Sequence, residues 1–342
     1  MKFAQISLFI LSTIAISFAA YLFGNSQVKV STSVNETTVT VNDEKRPGPL
    51  DKYKIESLIN TAFPMRKIEI YKTITDEPNF RVHVFRHKFD PGINTNRLKT
   101  VTGQINIPKS EDKLPLVFMI RGFASQETYK TGVGTQNAAA YFAENGFITV
   151  APDFLGYAES DSEANNIFET RFQTYTTVLS LLKSLASIDE WDGKNVFIWA
   201  HSNGGQVTLT TLAITGADYP ATLWAPVTKP FPYSILYFSN EATDSGKFLR
   251  HELANFESLH EAEKYSFDGY IDRINAPILL HQGTADDAVP VSWSNDIYYA
   301  FKSKDKAINY YTYSGADHNL RPEWDRVVAR DLEYFRKYLK KI

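Results

Sequence analysis

The sequence of 342 residues contains no cysteine, which excludes disulfide bonds, thiol nucleophiles and thiolate metal sites. It also has no excess of positive charge, because 36 Lys and Arg face 39 Asp and Glu and the formal net charge is -3. This balance provides no basic field for binding nucleic acid. No cluster of His, Asp and Glu has metal-ligand spacing, so no metal site is expected. Hydrophobic residues make up 43% of the chain, which is enough for a large core.

Residues 1–23 form an almost wholly apolar stretch with a single lysine near its start. Such a stretch is typical of a signal peptide, here with a cleavage point after Ala19, and it is also long enough for an N-terminal membrane anchor. Both alternatives place the rest of the chain outside the cytoplasm, either secreted or periplasmic or attached to the membrane. Residues 24–49 are rich in Ser, Thr, Val and Asn and predict a flexible linker. The folded domain is expected to span residues 50–342.

Strand and helix patterns alternate along this domain. A short helix at residues 51–62 is followed by two strands, at 67–75 and 80–87, that are expected to be antiparallel. Later strands are predicted at residues 114–120, 147–151, 195–199, 221–227 and 308–313, with another starting at 277, and an amphipathic helix at 323–340. This alternation predicts a mostly parallel sheet covered by helices on both faces. The carboxyl ends of its strands are where functional loops are expected to gather.

A serine stands at the abrupt end of the strand predicted at 195–199, within the segment Ala200-His201-Ser202-Asn203-Gly204-Gly205. A serine between a buried strand and two glycines is typical of a nucleophile elbow, a strained turn that exposes the hydroxyl. The elbow requires small residues two positions before and two positions after the serine. Ala200 and Gly204 meet this requirement. The alternative is a glycine-rich loop without a catalytic role, so the rest of the pattern decides.

A nucleophilic serine needs a base and an orienting acid, which in this arrangement follow in the order Ser, Asp, His. A loop after the strand at 277 carries Asp286 and Asp287, and His318 follows the strand at 308–313. His318 is therefore the predicted base. Two other histidines are candidates on sequence grounds. His201 adjoins the serine and is expected to point away from it, and His281 lies inside a strand and is expected to be structural.

These motifs together resemble the α/β-hydrolases, and most closely the catalytic domain of the prolyl oligopeptidase (S9) family and its single-domain esterase relatives. The resemblance rests on the elbow, on the G-T-A-D-D-A-V-P loop at residues 283–290 and on the S-G-A-D-H segment at 314–318. It covers residues 98–342 and leaves no length for the propeller domain of the family's peptidases. It implies that Asp286 is the orienting acid, with Asp287 as the alternative. It also implies that the insertion at 229–273 is a small helical lid over the site, the alternative being a helix packed on the sheet edge.

The resemblance also implies an oxyanion hole made of two backbone amides. One belongs to Asn203, directly after the serine, and the other to Phe123, in the loop after the strand at 114–120. Arg121 stands in that loop where relatives often carry histidine. It is expected either to pair with an acidic residue or to bind an anionic part of the substrate.

The sequence therefore predicts a serine hydrolase that cleaves carboxylic esters through an acyl-enzyme, without any cofactor. An S9-like peptidase acting on short peptides is the alternative, and a non-catalytic binding module on the same fold is a further one. The expected partner is a small-molecule ester or short peptide, and the sequence indicates no oligomeric state.

Overall fold

A nine-stranded sheet organises residues 48–341, the part of the chain that the computed structural model describes. The strands are β1 (Ile68–Asp76), β2 (Phe80–Phe89), β3 (Lys99–Pro108), β4 (Leu114–Ile120), β5 (Ile148–Pro152), β6 (Trp191–His201), β7 (Ala221–Trp224), β8 (Ile278–Gly283) and β9 (Ile308–Tyr313). Their spatial order is β1-β2-β3-β5-β4-β6-β7-β8-β9. The pairs β1–β2, β2–β3 and β3–β5 are antiparallel, and all later pairs are parallel. The antiparallel opening and the parallel remainder are as predicted.

Helices cover both faces of this sheet. They are α1 (Ile55–Ile59), α2 (Gln136–Glu144), α3 (Ile167–Ser184), α4 (Asn203–Thr215), α5 (Tyr233–Phe238), α6 (Lys247–Leu259), α7 (Val291–Lys302) and α8 (Trp324–Lys337). One apolar cluster joins one sheet face to α3, α4 and α6, and a second joins the other face to α2 and α8. Along β4 the side chains alternate between the clusters, Phe118 in the first and Val117 and Met119 in the second. Burial on both faces explains why the central strands are continuous apolar runs.

Two sequence expectations differ from the structure. The helix predicted at 51–62 is interrupted at Lys54, whose extended backbone (φ -55°, ψ 144°) separates a 3₁₀ turn at Asp51–Tyr53 from α1. The strand β3 was not among the predicted strands, although Thr102, Gln104 and Asn106 alternate with its apolar residues in the pattern of a half-exposed strand. These polar side chains are in fact buried, and the side-chain amide of Gln104 donates to Asn106 at 2.9 Å.

The predicted N-terminal segment and nearly all of the predicted linker lie outside the described residues, and the domain boundaries remain predictions. Within residues 48–341, no helix combines the length and apolar character that crossing a bilayer requires.

The insertion between β7 and β8 contains α5, α6 and three 3₁₀ segments, at Ser239–Glu241, Ala262–Tyr265 and Phe267–Arg273. It is anchored by aromatic packing on α3. The ring centre of Phe256 lies 5.0 Å from that of Phe168, and Tyr265 stacks on Phe172 at 4.8 Å. Its other end, at α5, contacts α7, because the Tyr237 ring lies 4.9 Å from Trp293. The segment is therefore helical, as predicted, and it is integrated into the core.

Replacing Phe256 by Ala should destabilise the protein strongly, because its side chain is 4% exposed and packs among five other aromatic rings. We expect a loss of about 3–5 kcal/mol in the free energy of unfolding, measured by urea denaturation. Phe248→Ala is the matched control, since this phenylalanine lies on the same helix and is 60% exposed. Equal losses in the two variants would contradict the packing described above.

Candidate active site

Ser202 lies at the sharp turn between β6 and α4, at the carboxyl end of the sheet. Its backbone has φ 55° and ψ -122°, a conformation that is strained for any residue other than glycine. Three backbone hydrogen bonds hold it there. The N–H of Ser202 donates to the carbonyl of Trp224, and its own carbonyl accepts from the N–H groups of Gly205 and Val227, all at 2.9 Å. The structure thus forms a strand-to-helix elbow at the serine.

Two glycines allow other segments to approach this elbow closely. A Cβ on Gly122 would stand 2.8 Å from the Cβ of Ser202, and one on Gly204 would collide with the carbonyl oxygen of Ile120. Any larger residue at either position would push the strand β4 and its following loop away from the serine. The sequence requirement for a small residue at position 204 therefore has a direct structural cause.

Asp286 and His318 are hydrogen-bonded to each other. The Nδ1 of His318 lies 3.0 Å from both carboxylate oxygens of Asp286. Because a carboxylate only accepts, Nδ1 carries the proton, which leaves Nε2 of the neutral ring free to accept one. The Asp286 carboxylate also accepts from the N–H groups of Ala288 and Val289 and from the side chain of Gln282, at 2.8–2.9 Å. These hydrogen bonds fix the orientation of the Asp286 carboxylate towards His318.

The electrostatics of Asp286 favour its ionised form. Burial of the side chain alone would raise its pKa, but the hydrogen bonds from His318 and the Val289 N–H outweigh burial and hold the pKa below its ordinary value. The neighbouring Asp287 is exposed, and its carboxylate forms no hydrogen bond within residues 48–341. Of the two carboxylates in this loop, the structure brings only Asp286 to the histidine.

The serine and the histidine come from loops that follow β6 and β9. In the described part of the chain, the Ser202 hydroxyl forms no hydrogen bond, to His318 or to any other group. Hydrogen bonds between catalytic groups are often long until substrate binds. A hydrogen bond between the Ser202 hydroxyl and His318 is therefore part of the proposed mechanism.

Asn203 and Phe123 line one cavity, together with Gly122 between them. The cavity has a volume of about 130 Å³. Neither the Asn203 nor the Phe123 backbone N–H donates to an acceptor within residues 48–341. The remaining walls combine apolar side chains, such as Phe154 and Val207, with threonines of α3. Two unpaired amide donors beside the serine are what an oxyanion requires.

Arg121, in the loop after β4, is buried and also lines this cavity. Its guanidinium donates to the carbonyl oxygens of Gly122 and Asp153, at 2.9 and 2.8 Å. It also lies over the rings of Tyr157 and Tyr129, at 4.0 and 4.6 Å. The expected pairing of Arg121 with an acidic side chain is therefore wrong, because its guanidinium contacts carbonyl oxygens and aromatic rings instead. The expected effect, a fixed loop, does follow from these contacts.

His201 contacts His318, which sequence reasoning missed. The sequence predicted only that His201 points away from the serine and gave it no relation to the base, whereas its ring centre lies 4.7 Å from that of His318. Its Nε2 donates to the backbone carbonyl of His318 at 2.9 Å. Burial and the neighbouring positive charge of His318 lower the pKa of His201 to about 4, so His201 is neutral near pH 7. The lone signal in the sequence was its position beside the serine.

His281, on β8, belongs to a buried network of hydrogen bonds. Its two ring nitrogens lie 2.8 Å from the Tyr313 hydroxyl and 2.9 Å from the Asp331 carboxylate. The indole N–H of Trp224 donates to the same carboxylate at 2.6 Å. These contacts account for His281 without a role at Ser202. Among the described residues, no group of three or more His, Asp or Glu is placed to hold a metal ion.

The low pKa of His201 predicts a loss of stability in mild acid. Its folded-state pKa of about 4 lies below the unfolded value of about 6.5. The unfolded chain therefore binds more protons, and stability falls as pH falls from about 6.5 to about 4. His201→Gln, which keeps an N–H donor, should remove a loss on the order of 2 kcal/mol between pH 7 and pH 4.5 in urea denaturation. His87, whose burial also lowers its pKa to about 4, leaves a residual loss of the same sign. Parallel pH curves for the variant and the wild type would contradict the assignment.

The chain is similar to known proteins in sequence and in fold. Residues 134–341 match the prolyl oligopeptidase family. Acetyl esterase Axe7A of Xylanibacter ruminicola is 25% identical over 226 residues, covering 59% of this chain and 49% of that protein. The chain thus spans about half the length of this curated relative.

Solved structures share the fold at low sequence identity. Acetyl xylan esterase 1 from Thermoanaerobacterium sp. JW/SL YS485 superposes with a TM-score of 0.59 and 17% identity, over 84% of this chain and 94% of that one. The acylaminoacyl peptidase of Pyrococcus horikoshii superposes with a TM-score of 0.55 and 16% identity, over 82% and 51%. These likenesses confirm the predicted α/β-hydrolase fold. Since the family match extends over more than half of its residues, the chain belongs to the prolyl oligopeptidase family of serine hydrolases.

Proposed function

We propose that this protein cleaves small-molecule carboxylic esters through an acyl-enzyme formed on Ser202. The observation that supports this most directly is the hydrogen-bonded pair of Asp286 and His318, at the same end of the sheet as the strained serine elbow. An esterase relative, the acetyl esterase of Xylanibacter ruminicola, agrees with ester chemistry. Every group in this proposal comes from the chain itself, so it requires no cofactor.

In the proposed mechanism, the Ser202 hydroxyl attacks the ester carbonyl carbon while Nε2 of His318 takes its proton. Asp286 stabilises the resulting imidazolium and keeps the proton on Nδ1. The Asn203 and Phe123 amides stabilise the negative oxygen of the tetrahedral intermediate. His318 then returns its proton to the departing alkoxide, leaving an acyl group on Ser202. Water, deprotonated by the same histidine, releases the acid and restores the enzyme.

The size of the cavity beside the two amides supports a short acyl group. Its volume of about 130 Å³ is sufficient for an acyl chain of a few carbon atoms. A larger cavity of about 270 Å³ exists near His201. We assign the acyl group to the smaller cavity because Asn203 and Phe123 line only that one.

We further propose that the insertion at 229–273 influences substrate choice from the leaving-group side. Its Tyr237 is half exposed and packs on Trp293, which shares a small apolar cluster with Val289 of the acid loop. Aromatic side chains therefore extend from the insertion to the edge of the candidate site.

We also propose that the protein is exported, either by a cleaved signal peptide or with an N-terminal membrane anchor. This proposal rests on the apolar sequence of residues 1–23.

The alternative, a peptidase acting on short peptides, is favoured by the family itself and by the fold shared with an acylaminoacyl peptidase. We favour esters because an alkoxide leaves more easily than an unprotonated amine and needs less help from the acid form of His318. A complete set of candidate groups also disfavours a non-catalytic module.

Asp286→Asn should reduce kcat far more than Asp287→Asn. An amide at position 286 donates to Nδ1 and favours the wrong tautomer of His318, an effect on the order of 10⁴ in a serine protease. Asp287 forms no hydrogen bond within residues 48–341, so its variant serves as the isosteric control. Hydrolysis of 4-nitrophenyl acetate measures both. A greater loss in the Asp287 variant would shift the acid by one residue.

Short-chain aryl and alkyl esters should be cleaved with a much higher kcat/KM than matched peptidyl anilides. We expect kcat/KM to be highest for acetyl esters and to fall for esters whose acyl chain is longer than the small cavity holds.

Ser202→Ala should abolish both turnover and covalent labelling by a fluorophosphonate. Labelling retained in that variant would show that Ser202 is not the nucleophile. In the substrate comparison, an equal or higher kcat/KM on a peptidyl anilide would favour the peptidase alternative over the esterase.

A further inference from the structure

A buried glutamine and a buried serine lie behind the acid of the candidate site. Gln282 is near the end of β8, and Ser294 is in the first turn of α7. Both residues are 0% exposed. Neither of them lines the acyl cavity or the larger cavity near His201. Any role that they have in the reaction therefore acts through the groups that they contact.

The side-chain nitrogen of Gln282 is surrounded by acceptors. Nε2 donates to Oδ2 of Asp286 at 2.8 Å, and it lies 3.3 and 3.4 Å from the backbone carbonyl oxygens of Gly283 and Val289. At the other end of the amide, Oε1 accepts from the Ser294 hydroxyl at 2.7 Å. Rotating the amide by 180° would bring Oε1 against three other acceptors, which is unfavourable. These contacts fix which end of the amide faces the acid.

The Ser294 hydroxyl is used differently from other buried hydroxyls on the helices. Those of Thr177, Ser184 and Thr208 each donate to the backbone carbonyl four residues earlier in the same helix. This is a common arrangement for Ser and Thr within helices. Ser294 instead donates to a side chain 12 positions away, on β8. The start of α7 is thereby connected to the acid through Gln282.

The Asp286 carboxylate depends on the donor that Gln282 supplies. Its side chain is fully buried. Oδ1 accepts from the N–H groups of Ala288 and Val289, whereas within residues 48–341 Oδ2 accepts from Gln282 and His318 alone. A buried carboxylate oxygen that loses a donor is costly, so the carboxylate would turn or take up a proton. The amide also carries no charge, which leaves the negative charge of Asp286 to the imidazolium of His318.

We propose that Gln282 and Ser294 are positioning residues for the reaction. Ser294 sets the direction of the Gln282 amide, and the amide holds the Asp286 carboxylate in the orientation that His318 requires. In this orientation both carboxylate oxygens lie 3.0 Å from Nδ1 of His318. The inference rests on the proposed esterase function, because Asp286 acts on the reaction only through that mechanism.

The first test replaces Gln282 by Met, which has a similar length and no hydrogen-bond donor. Loss of a hydrogen bond to a buried carboxylate should reduce kcat on 4-nitrophenyl acetate about tenfold. KM should change little, because Gln282 does not line the acyl cavity. A wild-type kcat in this variant would overturn the proposal.

Ser294→Ala tests the outer residue and disturbs the core less. It should reduce kcat about threefold, since the Gln282 amide keeps its contacts at Nε2 but loses the donor to Oε1. Ser180→Ala is the matched control, because it removes a buried hydroxyl that contacts the side chain of His87, away from the site. An equal loss of kcat in the two serine variants would contradict a specific role for Ser294.

A double-mutant cycle separates positioning from a general loss of packing. In the Asp286→Asn background, Gln282→Met should cost little further activity, because the carboxylate that the amide orients is gone. A further tenfold loss in that background would show that Gln282 does not act through Asp286.

Proton NMR distinguishes failure of this inference from failure of the proposed function. The Nδ1–H of His318, hydrogen-bonded to a carboxylate, should give a downfield resonance in the wild type. The resonance should shift or disappear in Gln282→Met and persist in Ser180→Ala. A wild type that does not hydrolyse esters would refute the proposed function, and the resonance would still test the positioning. An unchanged resonance in Gln282→Met would overturn the inference alone.

Discussion

The strained backbone of Ser202 is the constraint on which the candidate site depends. A positive φ at a residue other than glycine costs on the order of 1–3 kcal/mol, and persists only where the surrounding structure enforces it. Here the bonds to Trp224, Gly205 and Val227 tie the elbow to the neighbouring strand and to the start of the insertion. The serine therefore holds its position only in the assembled parallel sheet. The geometry of the site therefore depends on the stability of the sheet.

The charge states of two groups around the elbow are set by their surroundings. Asp286 is held ionised by its hydrogen bonds, and His201 is held neutral by burial. A second cationic imidazole 4.7 Å from His318 would oppose formation of the imidazolium during the reaction. A neutral His201 avoids that repulsion and still holds the His318 backbone through its N–H. The same residue thus contributes both to position and to electrostatics.

Local sequence patterns predicted much of this structure. The strands β4 and β9 and the order of Ser202, Asp286 and His318 follow from apolar runs and from short motifs, which are local signals. The burial of the polar side chains of β3 could not be predicted, because it depends on contacts that are distant in sequence, such as the hydrogen bond from Thr102 to Asp153, 51 positions away. His201 escaped detection for a similar reason. Its contact with His318 joins residues that lie 117 positions apart in the chain.

Arg121 has a consequence for the entropy of catalysis. Its guanidinium joins the loop after β4, which carries the proposed oxyanion donor Phe123, to the carbonyl of Asp153, and is enclosed by two tyrosine rings. The Phe123 amide is therefore presented by a loop that has already lost its conformational freedom when the protein folds. A substrate entering the cavity would not have to order that loop, and the binding energy otherwise needed for ordering would remain for the transition state. Lysine could not substitute, because a single ammonium lacks the planar fork that reaches two carbonyls and stacks on the rings at once.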